Sequence, residues 1–413
     1  MIKRIKSLLL SDTSKDAGVT MIGNVSITLA GMLFTVITAR FLAPEKFGIF
    51  SALFALATLF GSLSDLGISS ALVNFLPKVK SDRNLILSII FWLQLIIAFI
   101  LFCTALGFVP IRHLTLPGAD LIHIFYLALL IIPLAFETFA ISILRAEKHF
   151  TWVAAILSLD SWVKLIFTYL LLRFDLLNIS SIFLASIAAA SLATALGLSH
   201  EFKHIRRFFP KPQVLTIIKF AKWIALIRLF SVGISRIDVI LLNAIGTSFD
   251  AGIFSAASRI ALLFVLLVSS LGSVVAPRFS AFTTKNQVKS YLKKLTGLTL
   301  FVALGMLFSI ALAPLIVNFV FGIEYQATIP VFRYLTLAMI PFLLAIITTN
   351  PLIYYFNKPD FVAKTTIVQV VTIIILDVLL IPQYGAIAPT ISLGLANILV
   401  LGLTGYKLKQ QLA

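Results

Sequence analysis

One cysteine, five histidines and sixteen acidic residues in 413 positions leave little material for catalysis. Cys103 stands alone, so no disulfide forms within the chain and no cysteine metal site is available. Charged residues make up 12 % of the chain, against roughly 25 % in soluble domains, which argues against a soluble fold. Strict apolar–polar alternation is missing too, and with it the signature of a membrane barrel. No outer loop is long enough to fold as a domain. That argues against a membrane-embedded glycan polymerase or ligase, which needs a sizeable loop or a cluster of catalytic side chains. No signal peptide is evident, because the Leu run after Lys3, Arg4 and Lys6 is cut short by Asp12 and Asp16.

Long apolar runs are abundant. The chain is 60 % hydrophobic with a mean hydropathy of +1.08. A spanning helix needs about 20 apolar residues. Twelve such segments are expected between 18 and 406, among them 48–74, 217–244, 295–320 and 386–406. Two copies of one pentapeptide, Gly48-Ile49-Phe50-Ser51-Ala52 and Gly252-Ile253-Phe254-Ser255-Ala256, lie 204 residues apart. Each opens an apolar stretch that follows another. The expectation is therefore an all-α polytopic membrane protein of about twelve transmembrane helices in two six-helix lobes, 18–199 and 217–406. A basic N-terminal segment (1–17) lies on the inner leaflet, a basic connector (200–216) joins the lobes, and a short tail (407–413) follows. With an even number of spans per half, the repeats run the same way through the membrane, as in transporters with parallel repeats.

Lysine and arginine exceed acidic residues by 17. Their placement points to a membrane rather than nucleic acid. With the N-terminus inside, the inner segments hold twenty-four Lys/Arg and the outer ones four: Arg40, Lys46, Arg112 and Arg173. The positive-inside rule then sets both termini and residues 200–216 in the cytoplasm. Residues 277–294 are expected as a second long basic connector.

Ionisable groups within the apolar spans need a reason, since each costs at least about 2.5–3.5 kcal/mol on insertion scales. The basic ones are Lys164, Arg228, Arg236, Arg259 and Arg333; the acidic ones are Asp65, Glu137, Asp160, Asp238 and Asp377. Arg228 and Arg236 are eight residues apart, hence within roughly 80° on one helix and about 12 Å along its axis. With Arg259 on the next span they form a candidate track for an anionic headgroup, with Arg333 as a further candidate. The planar guanidinium fork suits phosphate. The alternative is structural: Asp238 neutralises Arg236 and the others snorkel to an interface. Asp160 and Lys164, spaced i,i+4, form a structural ion pair or part of a coupling site. Asp65 and Glu137 have no partner in their own spans and are candidates for a coupling proton or cation.

His200-Glu201-Phe202-Lys203-His204 reads H-E-x-x-H, the helical zinc motif of metalloproteases. Lys203, Arg206 and Arg207 oppose a divalent metal, and no third ligand follows, so a solvated basic linker is the expectation and no cofactor or metal is assigned.

Several stretches, in order, resemble bacterial O-antigen and polysaccharide flippases of the multidrug/oligosaccharidyl-lipid/polysaccharide superfamily. They are Thr38 to Gly48, Ser64-Asp65-Leu66-Gly67, Asp250 to Ala257, Ala276 to Ser280, Phe321 to Tyr325 and Leu380 to Ala386. The resemblance implies two lobes around a central cavity opening to one side at a time. It implies a polyprenyl-pyrophosphate-linked oligosaccharide as cargo, flipped across the cytoplasmic membrane for cell-surface polysaccharide synthesis, with membrane lipid and other polysaccharide-assembly proteins as partners. Drug/cation antiporters share the architecture and favour the acids of the first half. Pro389 departs from the small residue expected in the final span and predicts a kink there.

Overall fold

The computed structural model describes residues 12–65, 67–76, 83–199 and 236–412. Among them no strand occurs, and nine helices are long and apolar enough to cross a membrane. Helix is the expected outcome in lipid, where every backbone N–H and C=O must find an internal partner. Two of the nine, Gly18–Leu63 with 46 residues and Pro359–Leu412 with 54, each exceed the length of a single crossing. About 20 residues suffice for one. Each is broken near its middle. In α1 (Asp12–Leu63) Ala43 adopts φ 58° and ψ 167° immediately before Pro44. Between α13 (Pro359–Tyr384) and α14 (Ala388–Leu412) a single 3₁₀ turn starts at Gly385, with φ 52°.

Four sequence expectations need correction. The span expected over 48–74 is two helices. After α1 ends at Leu63 the backbone turns through Gly67 at φ 78°, a left-handed conformation that suits glycine, and α2 (Ile68–Phe75) follows. Likewise the span expected over 295–320 is α10 (Lys285–Ala311) and α11 (Ala313–Phe321), with Pro314 at the start of α11 where its missing N–H harms nothing. The long connector expected over 277–294 is largely helical. α9 (Ser248–Ser280) runs through Pro277, and α10 begins at Lys285, capped by Thr284. Pro389 is the second residue of α14, a position proline tolerates, so the expected kink within the final span is replaced by a clean helix start.

Of the described residues, those within Met1–Leu42 and Ala52–Arg236 form one compact unit, and those within Ala43–Ser51 and Ile237–Ala413 form a second. The first unit is organised around α5 (Leu121–Ala146), against which α3 (Arg83–Leu106), α2, α6 (Phe150–Arg173) and α7 (Ile179–Leu198) pack. Leu72, Ile86, Ile90, Phe139, Ile143 and Leu198 form one cluster there. Small residues let these backbones approach, as they do between membrane helices generally. A Cβ on Gly197 would sit 2.9 Å from that of Ala140, and one on Gly61 2.9 Å from that of Leu134.

The second unit is organised around α12 (Thr328–Tyr354), packed by α9, α10 and α14. Phe279, Leu295, Met306, Leu343 and Ile346 belong to one apolar cluster of this unit. The segment Ala43–Ser51 belongs to this unit although its chain neighbours on both sides belong to the first. Here the repeated pentapeptides meet. A Cβ on Gly48 would lie 1.7 Å from the Ser248 carbonyl oxygen, and one on Gly252 1.9 Å from that of Pro44. Since Ser248 precedes Gly252 as Pro44 precedes Gly48, the contact is reciprocal, like a two-fold interface within one chain. The repeat is thus also a contact, and glycine is required at its centre because the two backbones touch.

Candidate functional site

The ionisable residues within the helices collect in two places. In the first unit Lys164 and Asp160 occupy one face of α6, where Lys164 Nζ donates to Asp160 Oδ2 at 2.9 Å. The same ammonium stands 5.8 Å from the centre of the Phe54 ring. Glu137 enters from α5 and lies within Coulombic reach of both Asp160 and Lys164. Glu137 is 6 % exposed and Asp160 9 %. Glu137 Oε1 and Asp160 Oδ1 are buried with no hydrogen-bond partner. Two carboxylates therefore share one ammonium. The i,i+4 pair was visible in the sequence; the third member, from a helix more than twenty residues away in the chain, was not.

In the second unit Asp238 lies on the helical stretch 236–245 and faces Asp377 of α13, with the Ser392 hydroxyl of α14 against Asp377. Asp377 is fully buried, and neither of its oxygens nor Asp238 Oδ1 has a charge-satisfying hydrogen-bond partner. The sequence offered Arg236 as the neutraliser of Asp238; the fold sets a second carboxyl beside it. Asn243, one and a half turns along the same helix, is also buried with its side-chain amide unpartnered. Among the described residues no three His, Cys, Asp or Glu converge to hold a metal ion.

The remaining candidates are dispersed. Asp65 is buried at the break after α1, where its Oδ1 accepts the Ser69 backbone N–H at 2.7 Å and so caps α2. Its neighbour Ser64 accepts from Gln94 Nε2 at 3.0 Å, which ties the break to α3. Arg333 is exposed on α12, and its Nε donates to the Ile310 carbonyl at 3.3 Å, near the end of α10. Cations commonly satisfy such terminal carbonyls. Arg259 is half-buried on α9 and has a partner of its own, while Arg236 is exposed at the start of its helical stretch. Arg228 and the histidine motif of residues 200–204 lie outside the described residues, as does most of the expected span 217–244.

Two stretches quoted for the family resemblance prove to be neighbours. Asp250 Oδ1 accepts the Ala386 backbone N–H at 3.0 Å, and a Cβ on Gly385 would fall 2.7 Å from that oxygen. Thr247 caps the same turn, accepting from the Asp250 N–H at 3.0 Å. Near the other end of the family pattern, Tyr325 is fully buried between Phe321, at 5.4 Å, and Phe47, at 6.2 Å. These signature residues hold helix ends together.

With this geometry in hand, comparison with known proteins is informative. Residues 13–283 match the family described as polysaccharide biosynthesis protein. No curated protein sequence matches the chain. Among solved structures, the lipid II flippase MurJ in an inward closed conformation has a TM-score of 0.76 and 18 % identity, covering 94 % of this chain and 87 % of that one. An inward-facing multidrug resistance MATE transporter of the MOP superfamily has a TM-score of 0.71 and 15 % identity over 94 % of each chain. A MOP superfamily transporter from Pyrococcus furiosus has a TM-score of 0.60 and 14 % identity, covering 98 % and 97 %. The match spans well over half of the chain, which therefore belongs to the polysaccharide biosynthesis protein family and has the MurJ/MATE-like membrane fold.

Proposed function

We propose that this member of the polysaccharide biosynthesis family turns a polyprenyl-pyrophosphate-linked oligosaccharide across the cytoplasmic membrane by alternating access. The observation that carries the reading is the conjunction of the family match over residues 13–283 with the fold of a lipid II flippase. The chain acts as a carrier and not as an enzyme. Among the described residues its buried polar side chains are mostly serines and threonines, many of them bonded to carbonyls of their own helices, which is a packing role rather than a catalytic one. In this reading twelve spans cross the membrane with both termini in the cytoplasm, in keeping with the inward bias of lysine and arginine. Arg228, Arg236 and Arg259 meet the diphosphate, and the exposure of Arg236 leaves its fork open to a ligand. Asp238 and Asp377 take the coupling cation or proton, because two adjoining carboxylates with buried, unpartnered oxygens cannot both stay charged without one.

Complementation of a flippase-deficient strain tests the proposal, with lipid-linked oligosaccharide measured on each face of the membrane. Export restored by the wild type and lowered by Arg236→Ala or Arg259→Ala at normal protein levels is the expected result. Losing one contact to a charged group removes about 1.5–3 kcal/mol, so Arg→Lys recovers only part of the function. Full export by both alanine variants rejects the arginine assignment. A drug/cation antiporter of the same fold is the second reading, favoured by the buried acids of the first unit; it gains if the wild type lowers cellular drug load but leaves glycan export unrestored.

A further inference from the structure

One cluster in the first unit holds two carboxyls and one ammonium, an excess of one negative charge if both carboxyls are ionised. Asp160 and Lys164 neutralise each other at 2.9 Å, but Glu137 comes from another helix and adds an acid to a pair that is already balanced. Its Oε1 and the outer oxygen of Asp160, Oδ1, are buried without a hydrogen bond. A buried, unpaired carboxylate is not tolerated unless a positive charge joins it. The charges that act on Glu137 come from Asp160 and Lys164; the ionisable groups of α3, α2 and α7 and at the break after α1 add none. Arg83 of α3 is engaged by Glu147, Asp65 is itself acidic and caps α2, Cys103 is exposed, and α2 and α7 carry no ionisable side chain among their described residues. A metal ion fits poorly, because hard cations take about six or more oxygen ligands, whereas two lone carboxylate oxygens and an ammonium are present. A proton needs a single oxygen.

We propose that Glu137, Asp160 and Lys164 form a proton-binding site in which Glu137 holds one exchangeable proton and Lys164 is the movable counter-ion. With Glu137 protonated, Lys164 rests on Asp160, the arrangement observed. When Glu137 releases its proton to water, its carboxylate competes for the same ammonium, and the salt bridge on α6 loosens toward α5. The Phe54 ring, 5.8 Å from Nζ, gives the ammonium a second favourable surface during that move. One proton thus exchanges the ties between α5 and α6 without leaving a bare charge in the helix packing. Proton binding itself does not depend on the flippase reading; only the use of that proton to drive cargo does.

The test is infrared titration of the full-length purified protein in lipid nanodiscs, followed at the carbonyl band of protonated carboxyl groups. The wild type should show a buried carboxylic acid that titrates, and the near-isosteric Glu137→Gln should lose one proton equivalent of that signal while remaining folded. Asp377→Asn, in the other unit, should leave the Glu137 component in place. Absence of a titrating component in the wild type, or its persistence in Glu137→Gln, overturns the site. A component displaced by sodium at constant pH overturns the proton as occupant. Export assays keep the two readings apart: a proton on Glu137 in a protein that fails complementation sinks the flippase reading alone. Full export with no such proton sinks the site alone.

Discussion

The two units bury acids in opposite ways. The first sets two carboxylates around one ammonium, and the second sets Asp238 against Asp377 with only a serine hydroxyl for company. In the mixed cluster, removing either member of the Asp160–Lys164 pair strands a buried charge. A pair of like groups is relieved by removing either one. The difference implies that equal-sized substitutions in the two units act on stability with opposite sign, and that comparison can be broken by experiment.

The largest effect is expected from Lys164→Met. It deprives Glu137 and Asp160 of their shared cation and should lower stability by about 3–5 kcal/mol, the usual result of breaking a buried pair. Asp377→Asn, by contrast, should leave the melting temperature unchanged or raised. Thermal unfolding of both variants in one detergent decides the matter; a matched drop in both would mean that the two clusters are equivalent.

Next comes the crossing in the second unit. Gly48→Ala places a methyl 1.7 Å from the Ser248 carbonyl oxygen, so the backbone must shift. Overpacking of this kind costs about 1–3 kcal/mol. Reciprocity predicts the same loss for Gly252→Ala, whereas Gly297→Ala, with nothing within 4 Å of the new methyl, should be neutral or slightly favourable. Unequal losses at 48 and 252 in thermal-shift measurements would show that the contact is not symmetric.

A smaller loss, about 0.5–2 kcal/mol, is expected for Asp65→Ala, which removes the cap of α2. If Asp65 also handled the transported ion, Asp65→Asn would abolish export while keeping stability; a capping role predicts that export survives. The smallest effect belongs to Arg333→Ala. It deletes one exposed hydrogen bond at 3.3 Å, so stability should change by no more than about 0.5 kcal/mol. A large loss of export at normal stability would return Arg333 to the ligand site.

Much of this architecture was legible in the chain. Apolar runs and basic loops are local features, and they gave a helical membrane fold; the family came from the resemblance of several short stretches in order. The Asp160–Lys164 pair was legible for the same reason, since i,i+4 spacing fixes a shared helix face. Helix ends were read less well. Residues 277–294 were expected as a connector, yet Pro277 lies inside α9, and Pro389, expected to kink the final span, opens α14. A missing N–H disturbs a helix interior but not its first turn, and sequence alone does not say which applies.

The sequence by itself determined that the chain lives in a membrane and that it is helical. Those properties follow from composition and from periodicities only a few residues long. Only the tertiary structure decided which buried groups face one another: Glu137 against Asp160 and Lys164, Asp238 against Asp377, Asp250 against Ala386, and Gly48 against Gly252. Each of these partners is on a different stretch of helix. Helix packing in lipid is set by close fit and by satisfaction of polar groups along whole faces. No short window of sequence contains that information.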